Sequence, residues 1–156
     1  MMKKKPLIIE LVGQKSVGKT STLKSLIRLL LNNDKDKYIW SSVTFENVVK
    51  KTCKSDSKWF TKSNNISDLL IVLEYQGNKI GICTYGDSVS MVLRGWNSIS
   101  KHVGDIDIFI YAKHERMNPA KYITHSECKT VLKRECNDKD EKRCIKEIKG
   151  LIDALE

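Results

Sequence analysis

Gly13, Gly18, Lys19 and Thr20 fall in one short segment, Gly13-Gln14-Lys15-Ser16-Val17-Gly18-Lys19-Thr20, with the spacing GxxxxGK[ST]. These residue types at this spacing suit the binding of phosphate groups. Glycine lets the backbone turn so that successive N–H groups point inward at anionic oxygens. Gln14, Lys15, Ser16, Val17 and Ser21 extend the same cradle through their backbone. Lys19 adds a full charge able to reach the outer phosphates, and the Thr20 hydroxyl is a candidate magnesium ligand.

Such a loop works only if it is held between two particular elements. The apolar run at 6–12 reads as a buried strand leading into Gly13. After it, Leu23, Leu26, Ile27, Leu30 and Leu31 recur on one side of a helix expected over 21–31. The start of that helix adds partial positive charge where the phosphates would sit. With strand, loop and helix in this order, the segment resembles the P-loop NTPase superfamily. The resemblance implies an α/β three-layer sandwich with the nucleotide at the C-terminal edge of the strands, and magnesium beside it.

Such a site usually has a second half, an acid past the end of another strand that holds magnesium through water. Asp87 is the candidate, as catalytic group and metal ligand, because it follows the strand expected over 79–85. It or Ser88 also suits the cap of the next helix, and for Asp87 the two roles are compatible. The stretch Cys83-Thr84-Tyr85-Gly86 is similar to the acid–Thr–x–Gly segment of the small GTPases. By that likeness Gly86 falls on the glycine whose N–H reads the γ-phosphate, while Cys83 replaces the acid. The guanine-specifying Asn-Lys-x-Asp is missing, and Ala112-Lys113-His114-Glu115 keeps only the lysine. Lys113 or Arg116 is a candidate to stack on a base. Arg94 or Arg116 is a candidate to stabilise charge on a transferred phosphoryl group.

The remaining elements are read from pattern. Tyr38-Ile39-Trp40 suits a short strand, Phe45, Val48 and Val49 a helical turn, and 54–65 a loop. Ser41, Ser42 and Thr44 offer hydroxyls to magnesium. Two β-rich runs, 69–75 and 79–85, flank Gln76-Gly77-Asn78 and predict a hairpin. A helix follows, with Val89, Val92, Leu93, Trp96, Ile99 and Val103 on one stripe, and then a strand at 106–111. Asn118-Pro119 predicts a helix start, and a last helix from about Asp138 carries Cys144, Ile145, Ile148, Leu151, Ile152 and Leu155. The expected fold is therefore one domain spanning 1–156, with a mostly parallel sheet and one antiparallel hairpin strand at its edge.

Composition agrees with such a domain: 156 residues, 40% hydrophobic and 30% charged, with only 2 prolines and 8 glycines. The net charge of +9 leaves nucleic acid open as a partner, although the lysines are spread along the chain. Five cysteines without a CxxC pair, and no leader read at the start, suggest reduced thiols and a cytoplasmic protein. No apolar run approaches the roughly 20 residues of a membrane span. The favoured function is an ATP- or GTP-binding, magnesium-dependent NTPase, a hydrolase, with ATP preferred. The alternatives are a small-molecule or nucleotide kinase and a non-catalytic nucleotide-binding module. The kinase reading is weakened by a scarcity of arginine for clamping phosphates. In the module reading, the stripe from Cys144 to Leu155 docks a protein partner or another copy; the simpler and favoured expectation is that it packs on the chain's own sheet.

Overall fold

Period-two alternation along the strands divides the core between the two faces of one sheet. The computed structural model describes residues 5–14, 17–32, 34–52, 69–86 and 88–155. Lys15, Ser16, Asp87 and the expected loop at 54–65 lie outside the described residues. On strand β1 (Leu7–Val12), Leu7, Ile9 and Leu11 join one buried cluster and Ile8 the other. On β3 (Leu70–Tyr75), Ile71 and Leu73 face the first cluster, Leu70 and Val72 the second. Helices α1 (Lys19–Leu31), α2 (Phe45–Thr52) and α4 (Asp138–Asp153) contribute to the first cluster. Helix α3 (Val89–His102) and a short 3-10 helix (Pro119–Tyr122) contribute to the second. The protein is thus α/β, with helices on both faces of the sheet.

Among the described residues the sheet has six strands in the order β2–β3–β4–β5–β1–β6. Here β2 is Tyr38–Ser41, β4 Asn78–Cys83, β5 Ile108–Lys113 and β6 Cys128–Leu132. Strands β4, β5, β1 and β6 run parallel to their neighbours in that series. Strand β3 is antiparallel to both β2 and β4, so it is the reversed strand of a mostly parallel sheet. It is not at the edge, as the sequence suggests, because β2 pairs along its outer side. Gln76 and Gly77 turn the hairpin with φ of 53° and 81°. Both values are positive, as a two-residue turn matching strand twist requires.

One further expectation needs correction. Asn118-Pro119 opens only the four-residue 3-10 helix, and the Asn118 side chain makes no cap bond. The chain then forms β6, a strand the sequence does not announce, since only Val131 of its residues is buried. The stripe on α4 is used internally: Cys144, Ile148 and Ile152 are buried in the core, with Ile145, Leu151 and Leu155 packed against it. Among the described residues no helix is long and apolar enough to cross a membrane.

Candidate functional site

The C-terminal ends of the four parallel strands lie along one edge, and the ends of β5, β1 and β6 are bonded to one another. Gly13, directly after β1, donates its N–H to Lys113 O of β5 at 3.2 Å. Lys133, directly after β6, donates its N–H to Val12 O at 2.8 Å. A Cβ on Gly13 would stand 2.7 Å from Lys133 O and 2.8 Å from a Val17 methyl, so glycine is required by space. The chain leaving β1 enters α1 on one face, and the chain leaving β5 enters the 3-10 helix on the other. Adjacent parallel strands whose connections part to opposite faces create a crevice at their C-terminal ends.

The loop from Gly13 closes onto α1 through Gly18. Its φ of 90° and ψ of 25° lie in the left-handed region, which glycine adopts without steric cost. Gly18 O accepts from the Thr22 N–H at 3.0 Å and from the Thr22 hydroxyl at 2.9 Å, and Gly18, as the cap residue, offers no side chain to the helix start. Lys19 arches back over the loop, donating from Nζ to Gly13 O at 2.8 Å and Gln14 O at 2.7 Å. The Thr20 hydroxyl donates to Thr84 O at 3.2 Å, just beyond the end of β4. Thr84 is itself fixed: its N–H donates to Leu69 O at 2.9 Å and its hydroxyl accepts from Leu69 N–H at 2.8 Å. The first turn of α1 therefore meets the β4 exit even though β5 separates β4 from β1 in the sheet. Ser21 points elsewhere, its hydroxyl donating to Glu141 Oε1 of α4 at 3.1 Å.

Beyond Thr84, Gly86 lies flat on β5. A Cβ there would stand 1.9 Å from Ala112 O and 2.6 Å from Ala112 C. Both are backbone atoms of a central strand and cannot swing aside. Gly86→Ala is expected to cost about 2 kcal/mol, in the usual range for overpacking, measured by urea unfolding. A loss below about 0.5 kcal/mol would show that the segment after β4 shifts freely. Ser88 supplies the cap of α3, accepting from Met91 N–H at 3.2 Å.

The other sequence candidates are distributed as follows. Ser42 Oγ accepts from Leu70 N–H at 3.3 Å, Thr44 Oγ1 accepts from Asn47 N–H at 3.3 Å, and Ser41 bonds Tyr38 and Val43. All three hydroxyls are engaged in local structure. Lys113 turns inward, with Nζ on Met117 O at 2.7 Å and 3.5 Å from the Glu10 carboxylate. Arg116 is exposed, and Arg94 lies on the outer side of α3. Glu10, buried on β1, also accepts the Tyr111 hydroxyl proton. Burial, then the bond to Glu10, pushes the Tyr111 hydroxyl far above the usual phenol range. Burial and the Glu10 charge push the neighbouring Cys128 thiol up to about 12.

Sequence reading missed the segment that walls the loop from the β6 side. Lys133 Cε and Cys136 Sγ lie 3.7 and 3.5 Å from the place of a Cβ on Gly18. Asp140, in the first turn of α4, holds this segment. One carboxylate oxygen accepts from Lys133 Nζ, Arg134 N–H and Glu135 N–H, each at 3.0 Å. The other accepts from Arg143 Nε at 3.0 Å and a terminal Arg143 nitrogen at 2.8 Å. Burial alone would raise the Asp140 pKa. The bonds from the Glu135 N–H, Arg143, Lys133 and the Arg134 N–H outweigh it and hold the carboxyl well below the usual carboxylate range.

A scan against protein-family models, a search of curated proteins and a search of solved structures each give no match to this chain.

Proposed function

We propose that this chain is a P-loop NTPase of the three-layer sandwich type, binding a magnesium–nucleoside triphosphate at residues 13–20 and hydrolysing it. The observation that carries the reading is the bond from the Thr20 hydroxyl to Thr84 O at 3.2 Å. It sets the candidate metal-binding hydroxyl beside the segment that runs on to Asp87. Magnesium takes one or two protein oxygens and fills its octahedron with phosphate oxygens and water. A hydroxyl in the first turn of α1, with a carboxylate reaching through water, fits that donor set. Among the described residues no cluster of three metal-binding side chains is present. The metal would therefore arrive with the phosphates rather than sit in an all-protein cage.

The chain's own groups have distinct parts in this reading. N–H groups of the loop and of α1 bind the phosphates, Lys19 neutralises their outer charge, and Asp87 holds the water shell of the metal. Magnesium, when bound, neutralises charge on the outer phosphates. ATP is the preferred nucleotide, since the Asn-Lys-x-Asp that reads guanine is missing and Lys113 is tied to Glu10 and Met117.

The test is calorimetric titration with ATP and GTP, each with and without magnesium, with phosphate release followed on the same samples. Thr20→Ala is expected to weaken magnesium–ATP binding about tenfold, the worth of one charge-assisted contact, and to leave magnesium-free binding unchanged. Equal weakening with and without the metal would remove Thr20 as a ligand. Binding without turnover would favour the regulatory module, and turnover that needs an added acceptor would favour the kinase.

A further inference from the structure

The outer side of α3 forms one wall of an open groove of about 760 Å³, with Tyr122 of the 3-10 helix lining it too. Its lining includes Val89, Leu93, Arg94, Asn97 and Lys101. Val89, Leu93, Asn97 and Lys101 recur every four residues with Arg94 beside Leu93, so they share one side of the helix, while Val92, Gly95 and Ile99 are buried against the sheet. Tyr122 is 62% exposed, the most exposed of the large hydrophobic side chains among the described residues. Lys121 Nζ lies 5.8 Å from its ring centroid. Tyr122 also lines a second depression of about 280 Å³, where Trp96 adds apolar surface and Lys5 and Asp105 one charge of each sign.

Charge narrows what such a groove accepts. Among the described residues lining the larger depression there are two cations, Arg94 and Lys101, and no carboxylate. They are seven positions apart, about two helical turns or roughly 10.5 Å. Between them the lining is Asn97 and Ser98, and the apolar Val89 and Leu93 lie on the far side of Arg94. We propose that this groove docks an acidic amphipathic helix of a partner protein. Its apolar side chains would pack on Leu93, Val89 and Tyr122, and two carboxylates about two turns apart would meet Arg94 and Lys101. An extended polyanion would want a longer basic track and a series of stacking rings, whereas this groove has an apolar wall and two separated cations. The inference stands on α3 and the 3-10 helix and does not depend on the nucleotide reading.

The test displays two peptide pools against the full chain. Both fix an amphipathic helix with randomised apolar positions; one carries Glu and the other Lys at positions i and i+7. The Glu pool is expected to be enriched at least tenfold over the Lys pool. Peptides from it should lose at least tenfold in affinity on Tyr122→Ser and on Lys101→Glu. Both substituted residues are exposed, and circular dichroism checks that each variant stays folded. No enrichment, or binding unaffected by both variants, would overturn the proposal. So would an oligonucleotide or a phosphatidylserine vesicle that binds in place of the peptides and is lost in the same variants.

Discussion

Lys19→Ala is expected to lower the affinity for magnesium–ATP by roughly a hundredfold or more while leaving the fold in place. In the proposed site the ammonium makes charge-assisted hydrogen bonds to two phosphate groups. At about 1.5–3 kcal/mol each, their loss amounts to 3 kcal/mol or more, which is over two orders of magnitude in affinity. Lys19 is only part-buried, and its ammonium donates to the carbonyls of Gly13 and Gln14 among its contacts. Those bonds brace the loop, but the loop is also held by the Gly13 N–H on Lys113 O and by the packing of Gly13 on Lys133. Calorimetry therefore reads a large change in binding where thermal unfolding reads a small one. Unchanged affinity and turnover in the variant would remove residues 13–20 as the nucleotide site. Loss of binding together with loss of the folded state would assign Lys19 to the scaffold.

The flanks of the loop were legible because their signals are local. An apolar run, a glycine-spaced segment and a stripe ending at Leu31 each lie within a few residues, and β1 and α1 follow them closely. The hairpin was legible for the same reason, since Gln76-Gly77 dictates its own turn. Strand order was not, because the placement of β5 between β4 and β1 is a choice made across the whole sheet. Strand β6 escaped because Cys128-Lys129-Thr130-Val131-Leu132 sits at the sheet edge with Val131 alone buried, so no buried-and-exposed alternation marks it. The helix expected at Asn118-Pro119 drew on a start signal with no apolar stripe behind it, and a 3-10 turn satisfies that signal. The wall at 133–136 was invisible for a different reason. Asp140 reads in sequence as an ordinary acid in a helical first turn, where the helix dipole favours negative charge. Only the fold brings Lys133 and two N–H groups onto it.

Asp140→Ala is accordingly expected to cost about 3–5 kcal/mol of folding stability, the range for removing one partner of a buried ion pair. Lys133 is the reason. Its side chain is 1% exposed, so without Asp140 a buried ammonium is left, among the described residues, with the Glu135 carbonyl as acceptor. Removing the ammonium as well tests this directly. Lys133→Met placed on Asp140→Ala should recover part of the loss, whereas independent contributions would make the double variant worse. The acid side carries the same signature. The folded Asp140 pKa is depressed below that of the unfolded chain, so its contribution is present in full at neutral pH. It persists above the unfolded carboxyl pKa of about 4 and is lost as pH falls through the lower folded value. Urea unfolding of wild type and Asp140→Ala at pH 7 and pH 3 should therefore give a stability gap that narrows in acid. A gap below about 1 kcal/mol at pH 7, or one that does not change with pH, would show that the 133–136 wall is held by its backbone bonds alone. In that case the loop that borders Gly13 and Gly18 would owe nothing to the carboxylate.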